Sequence, residues 1–208
     1  AEQAKKEVEK YLGHKIEIGK NIKFEAGALD KVWVGNCMAT GLSSSFIEPL
    51  EASSIGTSIQ QAFLLMHYIL NYNKLDIDLY NQKFKLIVEN IRDFVLLHYI
   101  INKTNSKFWR DFKPNLPDTL KNNLIKWKTR LPMKEDFSGN FLLFKEINFT
   151  IILKELGLFN TKHIKKEYNL LSNHFKDYIV KFYERYHTFY NKTEKVSHKN
   201  FINSINNN

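Results

Sequence analysis

Val32-Trp33-Val34-Gly35-Asn36-Cys37-Met38-Ala39-Thr40-Gly41-Leu42-Ser43-Ser44-Ser45-Phe46-Ile47-Glu48-Pro49-Leu50-Glu51-Ala52-Ser53-Ser54-Ile55 is the stretch on which the reading of this chain turns. Its first nine residues are mostly β-branched or apolar and predict one strand, Val32 to Thr40, at the edge of a sheet. Gly41 ends the strand, and a loop of small polar residues follows. From Ile55 the period becomes helical, with Ile59, Phe63, Met66, Ile69 and Leu70 on one face. Amides exposed at a helix start stabilise anions. Gly and Ser at such a turn let a ligand approach the backbone closely. Glu48 and Glu51 flank Pro49 three residues apart, and a helical turn would set both on one side. Two readings stay open at this point: an anion or cofactor site, or a capped strand–helix junction with glutamates facing solvent.

Upstream, Glu2 to Leu12 reads as a short amphipathic helix stopped by Gly13. Ile16, Ile18, Ile22 and Phe24 alternate around Gly19, and Gly27 to Asp30 reads as a turn. Downstream, a helix should open near Asp76 or Asp78 and run to about Asn102, with Phe84, Ile87, Ile91, Phe94 and Val95 among its apolar members. A further helix should start near Asp118 and end near Arg130. Another spans Gly139 to Leu156, with Gly157 as its stop. The last long helix begins near Thr161 and runs through Tyr186. Its stripe of Phe175, Tyr178, Phe182, Tyr183, Tyr186, Phe189 and Tyr190 reads as packed core rather than a ligand cage. The polar tail SHKNFINSINNN should fray. The fold class is therefore mainly α with a small N-terminal β portion (α+β). Two or three short strands make no core alone, so they either pack on these helices or continue a larger sheet.

The 208 residues carry 31 basic and 22 acidic side chains, for a net charge of +9. The excess is concentrated in residues 102–134 and 160–208. Segments such as FWRDFK and LIKWKTR could meet phosphates or stack bases. Without zinc-finger spacing or an RNP sequence, a solvated cationic helix face is the simpler account, and nucleic acid ranks last among partners. One cysteine, Cys37, excludes an internal disulfide framework and a multi-Cys zinc site. Set in a strand among apolar neighbours, it reads as an inert buried thiol. A reducing cytoplasm is the default compartment. No run approaches about 20 apolar residues, so no transmembrane helix is expected. The N-terminus lacks the apolar core of a signal peptide, and the initial Ala suggests that something upstream has been removed.

WVGNCMATGLSSSFIEPLEASSI resembles the signature of the tryptophan halogenase family, flavin-dependent halogenases built on a monooxygenase-like flavin fold. Trp33, Asn36, Cys37, Gly41, Leu42, Ser43, Phe46, Glu48, Pro49, Leu50 and Glu51 all match the family's pattern. EVEKYLG, IKFEAG, Tyr80-Asn81, IRDFVLLHY (Ile91 to Tyr99) and Phe108-Trp109-Arg110-Asp111 continue the resemblance in order, close over residues 1–113 and weaker beyond. The resemblance implies that reduced FAD from a separate flavin reductase, with oxygen, oxidises chloride or bromide to hypohalous acid. That species then attacks an indole or another small electron-rich aromatic substrate. By the same resemblance the catalytic glutamate is Glu51, the halide is held by the amides of Ser53 and Ser54, and Gly41, Leu42 and Ser43 run beside the flavin. Glu48 is expected to be structural. Ser45 stands where the family frequently has Gly. No metal is implied.

The family's strand–GxGxxG–helix unit, its Trp-x-Trp-x-Ile-Pro motif and its catalytic lysine do not occur in this sequence. The resemblance is thus to the C-terminal part of the halogenase fold. Residues 1–54 would be the end of the flavin-domain sheet with the active-site loop, and residues 55–208 a helical substrate-side domain. The first partner is then the missing N-terminal flavin-binding half, without which the chain should be inactive. A non-catalytic helical binding module or remnant is the alternative. No tyrosine pair followed by glutamate matches the family's tryptophan-gripping residues. His98, alone on an apolar helix face, reads as a hydrogen-bonded core histidine.

Overall fold

The computed structural model describes residues 2–20, 22–100, 105–112, 115–192 and 196–206. The expected helical end at Asn102 and the interruption at Pro114 lie outside the described residues. The chain divides into two compact units. The first comprises residues 1–123 and 132–156, and the second residues 124–131 and 157–208. This grouping by compactness is a different division from the one by role at residue 54.

In the first unit, α1 (Glu2–Leu12) is exposed on nearly all sides and stops at Gly13, whose φ of 75° suits a residue without Cβ. The expected strand from Val32 to Thr40 is instead a tight hairpin. β2 (Trp33–Val34) pairs antiparallel with β3 (Cys37–Met38), and Gly35 turns the chain at φ 59°. The left-handed glycine decides this, because a Gly-Asn pair between two short apolar runs closes a two-residue hairpin turn more readily than it continues a strand. A second short pair joins β1 (Gly27–Ala28) to β4 (Ser45–Phe46), also antiparallel. The reversal also moves Cys37 outward: the thiol is exposed, not buried.

α3 (Lys74–His98) is the spine of this unit. Asn73 caps it by accepting from Leu75 N at 2.8 Å and Asp76 N at 3.2 Å, while Asp76 accepts from Asn73 N at 3.0 Å. The helix therefore opens slightly earlier than the aspartates suggest. Tyr80, Phe84, Ile87, Ile91, Phe94, Val95 and Leu97 are buried along it, as their spacing requires. Each such burial contributes about 1.5–3 kcal/mol relative to exposure. α4 (Lys107–Phe112) and α5 (Asp118–Trp127) follow. Asp93 on α3 accepts from Arg92 and, at 2.6 Å, from the Thr119 hydroxyl of α5. α6 (Glu146–Glu155) is shorter than the expected 139–156. Before it, Phe144 stacks on Phe94 at 3.9 Å between centroids, and Asn90 bonds both the amide and the carbonyl of Phe144.

α2 (Ser53–Met66) turns its faces the opposite way from its apolar period. Ser53, Thr57, Gln61 and Leu64 are buried, while Ile55, Ile59, Phe63 and Met66 are exposed. Hydrogen bonding explains the choice. Gln61 faces the loop backbone, and no apolar side chain could satisfy the buried groups it bonds.

The second unit holds α7 (Thr161–Leu170), α8 (Asn173–Lys192) and α9 (His198–Asn206). The single long helix expected from Thr161 is broken at Leu171–Ser172, where Leu171 becomes extended. The aromatic stripe of α8 is not core: Phe175, Tyr178, Phe182, Tyr183, Tyr186, Phe189 and Tyr190 are all exposed. Its periodicity is that of an amphipathic helix whose apolar face is exposed. The tail expected to fray is helical over His198–Asn206. No helix among the described residues is long and apolar enough to cross a membrane. No cluster of His, Cys, Asp or Glu among them could hold a metal ion.

Candidate active site at the start of the second helix

Every sequence-nominated site residue lies between Gly41 and Ser54: Glu51, Ser53 and Ser54 stand at the start of α2, and the Gly41–Ser43 turn packs on its middle, at Ser58 and Gln61. Gly41–Ser43 form a single 3-10 turn. Gly41 takes φ 60°, and a Cβ there would touch the Ser58 hydroxyl at 3.4 Å. Leu42 is 69% exposed at the crest of this turn. Beneath it sits Gln61, fully buried, reaching up from α2. Its Oε1 accepts from Gly41 N at 3.2 Å and from the Ser44 hydroxyl at 3.1 Å, and its Nε2 donates to Ala39 O at 3.2 Å. One amide side chain thus fixes both sides of the loop. Burial pushes the Tyr80 phenol up to about 12, an effect partly offset by a hydrogen bond with Gln61. Asn81 does for the hairpin what Gln61 does for the loop. It accepts from Val32 N and Trp33 N and donates to Trp33 O, each at 2.9 Å.

The backbone then enters α2 through an unusual path. Leu50–Ala52 make a 3-10 turn whose last two residues are left-handed, Glu51 at φ 64° and Ala52 at φ 48°. For residues with a Cβ this conformation costs about 1–2 kcal/mol each. Ala52 N still bonds Pro49 O at 3.0 Å. Ser53 resumes right-handed geometry, so the chirality reverses between Ala52 and Ser53, an alternation that makes an anion-accepting concavity of successive amides. No side chain caps α2. The amides of Ser53 and Ser54 therefore stand at the positive end of the helix dipole beside Glu51.

The two carboxylates are met by two consecutive residues at the end of α3. His98 Nε2 lies 3.2 Å from Glu51 Oε1, and the Tyr99 hydroxyl donates to Glu48 Oε1. That bond to Glu48, with burial added, pushes the Tyr99 phenol up to about 12. Phe108 and Trp109 of α4 lie around the Tyr99 ring, with centroids 6.3 and 6.1 Å away. His98 is hydrogen-bonded as expected of a packed histidine, its Nδ1 to Phe94 O at 2.9 Å, but its other nitrogen faces a site carboxylate.

Sequence reasoning thus found the loop and its carboxylates but missed Gln61, Asn81 and the His98–Tyr99 pair. For Gln61 a signal existed: Ser53, Thr57 and Gln61 make a polar stripe at steps of four, opposite the apolar one. For His98 none did, because 47 positions separate it from Glu51.

Comparison with known proteins agrees with the resemblance. The tryptophan halogenase family model matches residues 1–183. The 7-chloro-L-tryptophan 6-halogenase KtzR of Kutzneria is 35% identical over 121 residues, covering 55% of this chain and 23% of that protein. The tryptophan 6-halogenase SttH of Streptomyces toxytricini is 30% identical over 144 residues, covering 65% and 27%. This chain thus spans about a quarter of the length of these relatives. Among solved structures, a tryptophan halogenase from Shewanella frigidimarina superposes with a TM-score of 0.65 at 29% identity, over 76% of this chain and 32% of that one. With a matched model over most of its length and that fold in common, this chain belongs to the tryptophan halogenase family.

Proposed function

We propose that this chain is the C-terminal, substrate-side part of an FADH2-dependent halogenase that places chloride or bromide on an indole or another electron-rich aromatic ring. It would work only with a flavin-binding half and a separate flavin reductase. The carrying observation is the start of α2, where Glu51 and the uncapped amides of Ser53 and Ser54 share one strained turn. A carboxylate and an anion site side by side suit electrophilic halogenation, which needs a halide held where it can be oxidised to an electrophile and a proton removed from the attacked ring.

The residues fit that division of labour. Oxidising power would come from reduced FAD and oxygen when the flavin is bound. The Gly41–Ser43 turn, held at Gly41 by Gln61, would offer backbone and the exposed Leu42 side chain to a planar group. The Ser53 and Ser54 amides would hold the halide, favoured by the helix dipole. Substitution leaves a ring carbon bonded to both hydrogen and halogen, with positive charge spread over the ring. The Glu51 carboxylate would stabilise that charge and take the proton at its free oxygen. Glu48, engaged by Tyr99, would support the turn. The sequence contains no phosphate-cradling glycine loop, so tight FAD binding by the chain alone is not expected. A second reading, a non-catalytic binding module, draws on the exposed aromatic face of α8.

The test supplies the chain with the flavin-binding portion of a full-length relative, FAD, a flavin reductase, NADH, oxygen and halide. Halogenated indole should then be detected by mass spectrometry. Glu51→Gln should slow halogenation by at least about 10²-fold, and oxygen consumption by reduced flavin should stay unchanged. Wild-type halogenation by Glu51→Gln, with loss in a folded Glu48→Gln, would reverse the assignment of the pair. Indifference to both changes would remove Glu51 from catalysis.

A further inference from the structure

We propose that His98 and Tyr99 sort the two carboxylates of the Glu48–Glu51 turn, His98 serving as the positioning residue of Glu51 and Tyr99 holding Glu48 apart from it. The pairing stands on contact geometry; its catalytic consequence rests on the halogenase reading above.

Two carboxylates three residues apart on a tight turn are chemically alike, so their surroundings must tell them apart. α3 ends at His98 with Tyr99 still right-handed behind it, so consecutive side chains reach the same turn. Each has a different hydrogen to offer. A carbonyl only accepts, so the 2.9 Å contact of His98 Nδ1 with Phe94 O places the ring hydrogen on Nδ1. Nε2 is buried from solvent and has no aligned hydrogen-bond partner, yet Glu51 Oε1 stands 3.2 Å away. A bare lone pair there would face the lone pairs of a carboxylate. With a hydrogen on Nε2 the contact becomes attractive, and Glu51 stays a carboxylate able to take a ring proton. The off-axis approach makes it an electrostatic contact that sets where Oε1 rests rather than a tight bond. Among the described residues no hydrogen-bond donor reaches the second oxygen of Glu51, whose side chain is 39% exposed. That oxygen is left for substrate chemistry. Tyr99 has a single hydrogen and spends it on Glu48.

The ring itself is held rigidly. Phe94 meets it edge-on, with centroids 4.9 Å apart, and Phe94 is in turn stacked on Phe144. The backbone at Glu51 is held left-handed. A carboxylate on a strained turn, steered by a ring whose Nδ1–H is tied to Phe94 O, has few orientations available, and misplacement by about 1 Å can cost about 10²-fold in rate.

The experiment has two arms. In the first, the 208-residue chain alone is labelled at histidine and tyrosine and observed by NMR, with His98→Gln and Tyr99→Phe identifying the signals. Glu51→Gln should move the His98 imidazole signals and leave those of Tyr99, and Glu48→Gln should do the reverse. Equal response of both residues to either change, or no response to the predicted one, overturns the pairing. In the second arm, halogenation is measured with the flavin-binding portion supplied. His98→Leu should lower kcat by about 10²-fold, with KM for the aromatic nearly unchanged. His98→Gln, which keeps a donor near the Nε2 position, should recover part of the loss. Added to Glu51→Gln, His98→Leu should cost nothing further. Multiplying losses would overturn the positioning role alone. Absence of halogenation in the wild type, with the crossed NMR pattern intact, would overturn the halogenase reading and leave the pairing standing.

Discussion

Replacing Gln61 by Leu should loosen the Gly41–Ser45 loop while leaving the rest of α2 in place. The side chain is fully buried and makes three hydrogen bonds, at 3.2 Å from Gly41 N, 3.1 Å from the Ser44 hydroxyl and 3.2 Å to Ala39 O. Leucine has nearly the same volume, so the cavity cost is small. The Ser44 hydroxyl keeps its 2.7 Å bond to Gly41 O. Gly41 N and Ala39 O are left without the partner they had. Each stranded backbone group costs about 1–3 kcal/mol, so the loss should be about 2–6 kcal/mol. For a chain of this size that is a fall in Tm of roughly 4 °C at the least, at about 2–4 °C per kcal/mol. Thermal unfolding would give the size, and amide hydrogen exchange at Gly41 would give the place. Gln82→Leu, on the exposed side of α3, serves as control and should change stability by no more than about 0.5 kcal/mol. If Gln61→Leu unfolds with the wild type and Gly41 keeps its protection, Gln61 does not hold this loop.

Three further outcomes are expected. Tyr99 and Tyr80 have phenols raised to about 12 in the folded chain against an ordinary 10.0. Their contribution to stability should be complete below about pH 10 and disappear as pH rises toward about 12. Phenolate absorbance against pH reads this directly, and Glu48→Gln should bring the Tyr99 transition down; an unmoved curve would disprove the Glu48 cause. Cys37, exposed on the hairpin, should react with a thiol reagent in the native chain as fast as in denaturant, and protection until unfolding would contradict the hairpin. Asn90→Leu strands the amide and carbonyl of Phe144 and should destabilise by about 2–6 kcal/mol; denaturant titration measures it, and a change below about 0.5 kcal/mol would refute the clamp.

The sequence by itself determined the local features of the candidate site. The GLSSSFIEPLEASS run names a glycine turn, a carboxylate pair and a helix start, and those are local matters of residue type and spacing. The α3 core was equally legible, because Phe84, Ile87, Ile91 and Phe94 follow one helical period and only one face could hold them. Tertiary structure decided the rest, wherever two local preferences conflicted or a partner was distant. The apolar stripe of α2 pointed inward by hydropathy, yet buried loop amides needed Gln61, and an unmet backbone group weighs as much as an exposed isoleucine. The Val32–Thr40 run had strand propensity on either side of Gly35 and Asn36, but that pair let it fold back, and Asn81 on α3 anchored the result. The aromatic period of α8 stated amphipathicity without stating what would cover it. Glu48 and Glu51 look alike in the chain. They differ because Glu51 turns left-handed at the start of α2 and because α3 delivers a histidine to one and a tyrosine to the other, and no spacing rule connects positions that far apart.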